Sequence, residues 1–263
     1  MNKRVRIGDM DVELRGEGKP IVFCHGFTTT SAFWREQLDV FAGAYQVVAP
    51  SLPGHGTSSH RTDRAYTIDA YVADLAILFD ELQLEPAILV GLSMGGVIAQ
   101  RFALAYPQRL SGLVLVDTTA SGLGEAVKSG NVLAAIERLG VEQASCDVAD
   151  RSFGADASDS LIEFARSEVI QTPEFVAIQA IVSLNGTNLR DRLGDVHVPT
   201  LVVCGEEDDI TPPAESRALA AGIPGSTLVM IPHAAHFPML EQPAQFNAEL
   251  ERFIGRIDWR GNA

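Results

Sequence analysis

A serine placed between an apolar run and a helical pattern is the clearest candidate for chemistry in this sequence. Ser93 lies in the stretch GLSMGG at 91–96. The apolar run Ala87–Val90 precedes it, and the helical pattern Gly95–Tyr106 follows. A serine there must occupy a tight turn, where flanking glycines prevent a Cβ from colliding with neighbouring backbone. The turn points the hydroxyl at the positive end of the helix, so we interpret Ser93 as a nucleophile.

A serine nucleophile needs a base to take its proton, and the base needs a carboxylate to orient it. Two later apolar runs each lead into a loop that carries such groups. The run Thr200–Cys204 is followed by the acids Glu206, Glu207, Asp208 and Asp209. The run Thr227–Ile231 is followed by the histidines His233 and His236. Asp117, after the run Leu113–Val116, is a further candidate for the acid.

An early loop supplies candidates for an oxyanion hole. The run Ile21–Phe23 ends in Cys24-His25-Gly26-Phe27. We expect the backbone N–H groups of Phe27 and Met94 to face the oxygen on which negative charge develops during acyl transfer. Because Phe27 and Phe237 adjoin candidate catalytic residues, we predict that they line the substrate pocket with Gly26.

The elements that must position these residues alternate between short apolar runs and longer helical patterns. Continuous apolar runs predict strands that are buried on both faces of a parallel sheet. The remaining runs are Gln46–Ala49 and a leading antiparallel hairpin formed by Val5–Ile7 and Val12–Leu14. Helices are predicted at Ser31–Ala42, Ile68–Leu82, Gly95–Tyr106, Ala214–Ala221 and Pro243–Ile257. Such alternation is typical of βαβ units.

The alternation stops between residues 118 and 197. Helical patterns at Ala126–Leu139, Ser158–Ile170 and Pro173–Leu184 occur there without a convincing strand. We interpret residues 118–197 as a helical cap over the carboxyl edge of the sheet, where open α/β sheets bind ligands. Residues 1–117 and 198–263 then form one core domain. The cap carries six basic and twelve acidic residues, a net charge of −6 with neutral histidine.

The charge and composition of the sequence disfavour several kinds of partner and site. The formal charge of −14 disfavours nucleic acid and anionic membranes as partners. The sequence shows neither a signal-peptide pattern nor about 18 consecutive apolar residues, so we expect a cytoplasmic protein without a membrane span. Cys24, Cys146 and Cys204 are unclustered and indicate neither a zinc site nor a disulfide framework.

The chain resembles the α/β-hydrolase superfamily over essentially its whole length. Within it, the sequence is most similar to 3-oxoadipate enol-lactonase and related small carboxylesterases. The stretches that carry the resemblance are HGF at 25–27, LPGHGTS at 52–58, YTIDAYVADL at 66–75, VGLSMGG at 90–96, LVLVDTTA at 113–120, VPTLVVCGEEDDITPP at 198–213 and HFPMLEQP at 236–243. The resemblance implies an α/β-hydrolase fold: a mostly parallel eight-stranded sheet, helices on both faces, and a helical cap inserted after strand 6.

The resemblance also selects among the candidate acids and bases. The family pattern Gly-x-x-Asp-x-aliphatic-Thr-Pro aligns Asp208, although some relatives use the position of Asp117. A Glu five residues after the catalytic His and a Pro seven after select His236 over His233. The family usually has Gly before this His, where this chain has Ala235. The order serine, acid, histidine is that of the fold.

The resemblance implies hydrolysis of a small carboxylic ester or lactone through an acyl-enzyme, with no metal or organic cofactor. An alternative is the C–C hydrolases of ring-cleavage products, but these commonly carry Asn before the nucleophile and Trp after the His. This chain has Leu92 and Phe237 there. Cofactor-free perhydrolysis and a non-enzymatic receptor on the same fold stay open. The oligomeric state is not indicated.

Overall fold

A single eight-stranded sheet forms the centre of the molecule. The computed structural model describes residues 2–84, 86–122 and 129–259. The strands are β1 (Asn2–Ile7), β2 (Met10–Arg15), β3 (Pro20–Cys24), β4 (Gln46–Ser51), β5 (Ala87–Leu92), β6 (Leu110–Val116), β7 (Thr200–Gly205) and β8 (Thr227–Ile231). Each predicted apolar run lies within one of these strands, and the leading hairpin is β1–β2. The structure thus confirms the predicted strand count.

The strand order in the sheet is β1-β2-β4-β3-β5-β6-β7-β8. The pairs β1–β2 and β2–β4 are antiparallel. Every pair from β4–β3 to β7–β8 is parallel. The carboxyl ends of β3, β5, β7 and β8 therefore meet at one edge. The loops that carry the candidate residues leave the sheet at that edge.

Helices cover both faces of the sheet. The core helices are α1 (Arg35–Phe41), α2 (Ile68–Leu82), α3 (Met94–Ala105), α8 (Pro213–Gly222), α9 (Pro238–Glu241) and α10 (Pro243–Ile254). Between β6 and β7 lie α4 (Ser129–Leu139), α5 (Val141–Arg151), α6 (Asp159–Val169) and α7 (Glu174–Asn185). No helix in the described ranges is long and apolar enough to cross a membrane.

Side chains that alternate along the strands pack into two hydrophobic cores, one on each face of the sheet. In β3, Ile21 and Phe23 pack with Trp34 and Phe246 on one face. Val22 and Cys24 of the same strand join the other core, which includes residues of α2, α3 and α8. These four side chains are fully buried, whereas Pro20 at the start of β3 is partly exposed. A strand buried on both faces must be apolar at every position, which is the pattern that the sequence shows.

The bounds of the predicted helices shift by a few residues, as in α10, which ends at Ile254 rather than Ile257, and larger differences occur at 31–42 and at α5. The predicted helix Ser31–Ala42 is a 3-10 helix over Ser31–Trp34 followed by α1, because the Thr30 hydroxyl caps a short first turn. Helix α5 was not predicted at all. Its apolar face is narrow and interrupted by acids, so tertiary packing stabilises it more than its sequence pattern does. Residues 123–128, which include the start of the predicted helix Ala126–Leu139, lie outside the described residues.

Candidate active site

The turn between β5 and α3 holds Ser93 in a strained conformation. Its φ is 52° and its ψ is −118°, a region that non-glycine residues rarely occupy. A Cβ at Gly91 would collide with the backbone of Gly95, and one at Gly95 would collide with the carbonyl of His25. These close approaches explain the two glycines, because only a residue without a side chain fits there.

Hydrogen bonds hold the Ser93 backbone in this turn. The Ser93 N–H donates to the Val116 carbonyl at 2.9 Å, and the Ser93 carbonyl accepts the Thr118 hydroxyl at 2.6 Å. The side chain is 8% exposed and faces a cavity. Its hydroxyl forms no hydrogen bond with any residue in the described ranges, so Oγ is open to a ligand.

His236 and Asp208 form a buried pair at the ends of β8 and β7. The distance from His236 Nδ1 to Asp208 Oδ2 is 2.9 Å. Because a carboxylate only accepts, Nδ1 carries the proton and Nε2 is left as the acceptor that a general base needs. His236 lines the same cavity as Ser93, although no hydrogen bond joins the two side chains in this structure.

Asp208 is surrounded by donors. Its Oδ1 accepts the N–H groups of Ile210 at 2.8 Å and Thr211 at 3.0 Å, and its Oδ2 also accepts the Thr211 hydroxyl at 2.7 Å. Burial by itself raises the pKa of Asp208. The attraction and hydrogen bond of His236, with the hydrogen bond from Thr211, outweigh that effect and hold the pKa below its ordinary value. Asp208 is therefore an anion in the folded protein.

Glu241 holds the loop that carries His236. Its Oε1 accepts the N–H groups of Ala235 at 3.0 Å and Phe237 at 3.2 Å, while Oε2 accepts the Gly154 N–H at 2.7 Å. The backbone around His236 is thus tied both to its own loop and to the segment between β6 and β7. This contact gives a physical reason for a Glu five residues after the histidine, and Ala235 is accommodated without a glycine.

The rival candidates for the acid and the base do not take part in the Asp208–His236 hydrogen bond. The His233 side chain is 70% exposed, and its Nδ1 is 3.7 Å from Asp156 Oδ2. Asp209 is exposed. Asp117 is fully buried, but its Oδ1 accepts the Gly205 N–H at 2.9 Å rather than the imidazole N–H. The structure therefore brings Asp208 and His236 together, as the sequence analysis predicts.

The loop after β3 lies directly against Ser93. A Cβ on Gly26 would approach the Ser93 Cβ to 3.3 Å. His25 anchors this loop, because Nε2 accepts the Leu52 N–H at 2.8 Å and Nδ1 donates to the Gly26 carbonyl at 2.9 Å. Among the residues that the structure describes, none accepts the backbone N–H of Phe27 or Met94. Two free donors next to the serine suit an oxyanion.

A cavity of about 490 Å³ connects these groups. The predicted pocket residues Gly26, Phe27 and Phe237 line it, as do Ser93 and His236. The Met94 side chain instead packs in the core, which leaves only its amide for the site. The far wall comes from the segment between β6 and β7. Its apolar members are Val132, Ala135, Ala144, Val148, Ala149 and Val169.

Several lining residues were missed by the sequence analysis. Ile210 lies two residues after Asp208, a position from which it could have been inferred. Ala144 and Val148 are one turn apart on α5, and this spacing was the available signal for their shared face. Ser145 also lines the cavity, with a buried hydroxyl that has no partner among the described residues. Phe33 packs behind Phe237 at a ring distance of 5.1 Å.

Asp117, Asp208 and His236 offer three potential metal-ligand atoms within 4.8 Å of one another. His236 Nδ1 and both Asp208 oxygens already form hydrogen bonds with protein groups. This arrangement is that of a hydrogen-bonded network. The independence from metals and cofactors stays a prediction.

Comparison with known proteins identifies the family. The sequence profile described as "Alpha/beta hydrolase family" matches residues 21–249, which is most of the chain. The chain belongs to the alpha/beta hydrolase family. The predicted fold class is thereby confirmed, with an eight-stranded, mostly parallel sheet.

The relatives of this alpha/beta hydrolase include lactone and ester hydrolases. The chain is 28% identical to 3-oxoadipate enol-lactonase 2 of Acinetobacter baylyi, covering 90% of this chain and 89% of that protein. It is also 28% identical to a pimeloyl-[acyl-carrier protein] methyl ester esterase of Aeromonas hydrophila, over 94% and 99% of the two chains. The structure of a thermophilic esterase from Thermogutta terrifontis superposes with a TM-score of 0.87, at 30% identity, covering 97% and 98%.

Two buried histidines, His25 and His55, lie with their rings 5.0 Å apart, and we expect them to make the stability of this hydrolase depend on pH. Burial, with the neighbouring His55, holds the pKa of His25 well below its ordinary value, and burial lowers the pKa of His55 to about 4. Between these folded pKa values and about pH 6.5, the two histidines bind protons in the unfolded chain but not in the folded protein. Stability is therefore present above about pH 6.5 and is lost as pH falls toward the folded pKa values.

We expect the free energy of unfolding to decrease as pH drops from about 7 to about 5, as measured by urea denaturation. His55 by itself accounts for about 3 kcal/mol across its full window from 6.5 to about 4. His55→Gln should flatten this slope. His197→Gln should preserve it, because His197 is exposed in the folded protein as well. Equal slopes in both variants and the wild type would contradict the assignment.

Proposed function

We propose that this protein hydrolyses small carboxylic esters or lactones through an acyl-enzyme on Ser93. His236 acts as the general base, Asp208 orients and stabilises it, and the Phe27 and Met94 amides bind the oxyanion. The observation that carries the proposal is the buried Asp208–His236 pair, which is joined by a hydrogen bond of 2.9 Å. His236 lines the same cavity as Ser93, whose backbone is strained and whose hydroxyl has no hydrogen-bond partner among the described residues.

The proposed reaction has two halves. Ser93 Oγ attacks the carbonyl carbon while its proton passes to His236 Nε2, and the tetrahedral oxyanion rests on the two amides. The carbon–oxygen bond then breaks, and His236 returns the proton to the leaving oxygen. In an ester this product departs as an alcohol, whereas in a lactone it stays attached to the acyl group. Water, deprotonated by His236, attacks the acyl-enzyme and releases the acid with Ser93 restored.

The electrostatics of the site favour this chemistry. The negative charge of the tetrahedral oxygen develops near the N-terminal end of α3, where the helix dipole is positive. Each preorganised amide donor in such a site contributes about 10²–10³-fold to the rate. Asp208 stabilises the imidazolium that forms when His236 takes the proton.

The names of the relatives support the substrate class. An enol-lactonase and a methyl ester esterase are both similar over most of this chain, and both names describe cleavage of an acyl–oxygen bond. The chain is accordingly an enzyme of the esterase and lactonase type. A chain that only binds ligands would not turn over p-nitrophenyl acetate or butyrate, so steady turnover of these esters tests the enzymatic function directly.

Residues 118–197 act as a cap in this proposal, over a core of residues 1–117 and 198–263. Helices α4, α5 and α6 contribute residues to the cavity wall opposite Ser93. Two hydrogen bonds tie this segment to the loop after β3, from the Thr30 hydroxyl to Glu168 and from the Thr172 hydroxyl to the Thr28 carbonyl at 3.4 Å. The cap would exclude water and select the acyl group by shape.

We expect neutral short-to-medium acyl esters or neutral lactones to react faster than carboxylate-bearing analogues of similar size. The charged residues lining the cavity are Asp147, Asp150 and Arg151, and Asp150 pairs with Arg166 at 2.7 Å outside the cavity lining. Two acids and one base give no broad attraction for an anion. The measurement is kcat/KM for a matched neutral and anionic pair at low and high salt.

Arg151 provides the sharpest control for this prediction, because one arginine can bind a carboxylate through two parallel hydrogen bonds. A preference for the anion that weakens with salt and disappears in Arg151→Gln would contradict the charge argument. Arg138→Gln serves as the matched variant, since Arg138 is exposed and lies outside the cavity lining.

Replacing Asp208 with Asn should lower kcat by about 10⁴-fold, because an amide does not hold the imidazole tautomer and leaves the imidazolium unpaired. Asp209→Asn is the matched control, with the same substitution one residue away on an exposed side chain. It should retain most of the rate. Similar losses in both variants would remove Asp208 from its proposed role.

A further inference from the structure

A second carboxyl group lies beside the Asp208–His236 pair. Asp117, at the end of β6, is fully buried, and its Oδ1 accepts the Gly205 N–H at 2.9 Å. Its Oδ2 is buried and has no hydrogen-bond partner among the described residues. Ligand atoms of Asp117, Asp208 and His236 lie within 4.8 Å of one another. The esterase mechanism given above does not use this group.

Repulsion between two buried carboxylates this close favours a proton on one of them. The donors around them decide which one holds the proton. Asp208 accepts four hydrogen bonds, from two backbone amides, the Thr211 hydroxyl and His236. Asp117 accepts a hydrogen bond from the Gly205 amide on Oδ1, and its Oδ2 has no hydrogen-bond partner among the described residues. The anion is better stabilised on Asp208, so the proton belongs to Asp117.

The remaining titratable groups are consistent with this assignment. Burial, and then the charge of Asp208, raise the pKa of Asp117 well above its ordinary value. Cys204, on the neighbouring strand β7, is buried, which raises the pKa of its thiol and keeps it neutral. His236 is already bonded to Asp208. Neither Asp208 nor Cys204 supplies a positive charge next to Asp117 that would keep it ionised, and the His236 Nδ1–H donates to Asp208.

We propose that Asp117 is a neutral carboxylic acid whose O–H donates from Oδ2 to the Asp208 carboxylate and thereby positions Asp208 for His236. The catalytic part of this inference rests on the proposed esterase function. This hydrogen bond would give Asp117 Oδ2 a partner and would raise the number of donors to Asp208 from four to five. Asp117 is a positioning residue in this scheme, because it acts through Asp208 and does not line the cavity.

The neutral state has a consequence for the pH profile. The rate falls at low pH because a protonated imidazole cannot act as the base. An ionised Asp117 would stabilise the imidazolium and move that acid limb to higher pH by about one to two units at this separation. A neutral Asp117 exerts no such effect, so the two charge states predict different responses to its replacement.

Asp117→Asn is the conservative variant. Its amide keeps an acceptor for Gly205 and a donor for Asp208, and Asn tolerates the positive φ of 39° at this position. We expect the acid limb of kcat/KM to keep its wild-type midpoint. Asp117→Ala removes the donor, and we expect kcat to fall about tenfold to hundredfold with little change in KM. Asp209→Asn controls for a general effect of charge.

The proposal is overturned if Asp117→Asn moves the acid limb down by about one pH unit or more. It is equally overturned if Asp117→Ala folds and retains the wild-type kcat. Infrared spectroscopy of protein labelled with ¹³C-aspartate tests the protonation without any activity. A protonated carboxyl band should be present at neutral pH in the wild type and Asp209→Asn, and absent in Asp117→Asn. A missing wild-type band would overturn the proposal, whereas a band without ester turnover would count against the esterase function alone.

Discussion

Ser93→Ala is expected to lower kcat for ester hydrolysis by about a millionfold, because no other group in the cavity replaces the nucleophile. The fold should survive, since the Ser93 hydroxyl has no hydrogen-bond partner among the described residues and the turn is held by backbone contacts. The measurement is kcat for a p-nitrophenyl ester together with thermal unfolding.

Ser111→Ala is the matched control for this loss. Ser111 is also buried, and its hydroxyl is also without a described partner, but it lies on β6 outside the cavity lining. Both variants should unfold near the wild-type temperature, whereas only Ser93→Ala should lose turnover. A serine-directed phosphonate should label Ser93 in the wild type, as read by mass spectrometry. Labelling of another residue would show that the nucleophile is misassigned.

His236→Ala should be about as damaging as loss of the serine, because the nucleophile and base act as one unit. Removal of the imidazole leaves Ser93 without an acceptor for its proton and leaves the Asp208 anion without its partner at 2.9 Å. The measurement is kcat/KM across pH. The wild-type rate should fall at low pH, and the variant should lose the limb that depends on this base.

His233→Ala is the control, since His233 lies on the same loop but its side chain is 70% exposed and directed toward Asp156. We expect it to keep most of the rate and the shape of the pH profile. Comparable losses in the two histidine variants would contradict the assignment of the base from the spacing of Glu241 and Pro243.

The local parts of the site were predictable because short-range sterics determine them. Gly91 is required by contacts with Gly95 and Gly96, within a few residues of Ser93, whereas Gly95 is required by the close approach of the Cys24 and His25 backbone. Asp208 and His236 follow directly after strands of a parallel sheet, so the sheet topology brings them to one edge. In the sequence, the position of Glu241 selected His236 as the base. The structure shows why a Glu lies there, because its carboxylate accepts hydrogen bonds from three backbone N–H groups.

By itself, the sequence determined the eight strands through their periodicity. It determined the family and the residues proposed as the triad through motifs that resemble the family's. Tertiary structure decided the wall of the cavity, the existence of α5 and the place of Asp117 beside Asp208. These features arise between residues far apart in the chain, such as Asp117 and Gly205, whose proximity comes from strand pairing. The charge state of a buried carboxyl depends on every donor around it, and those donors are known only once the chain is folded.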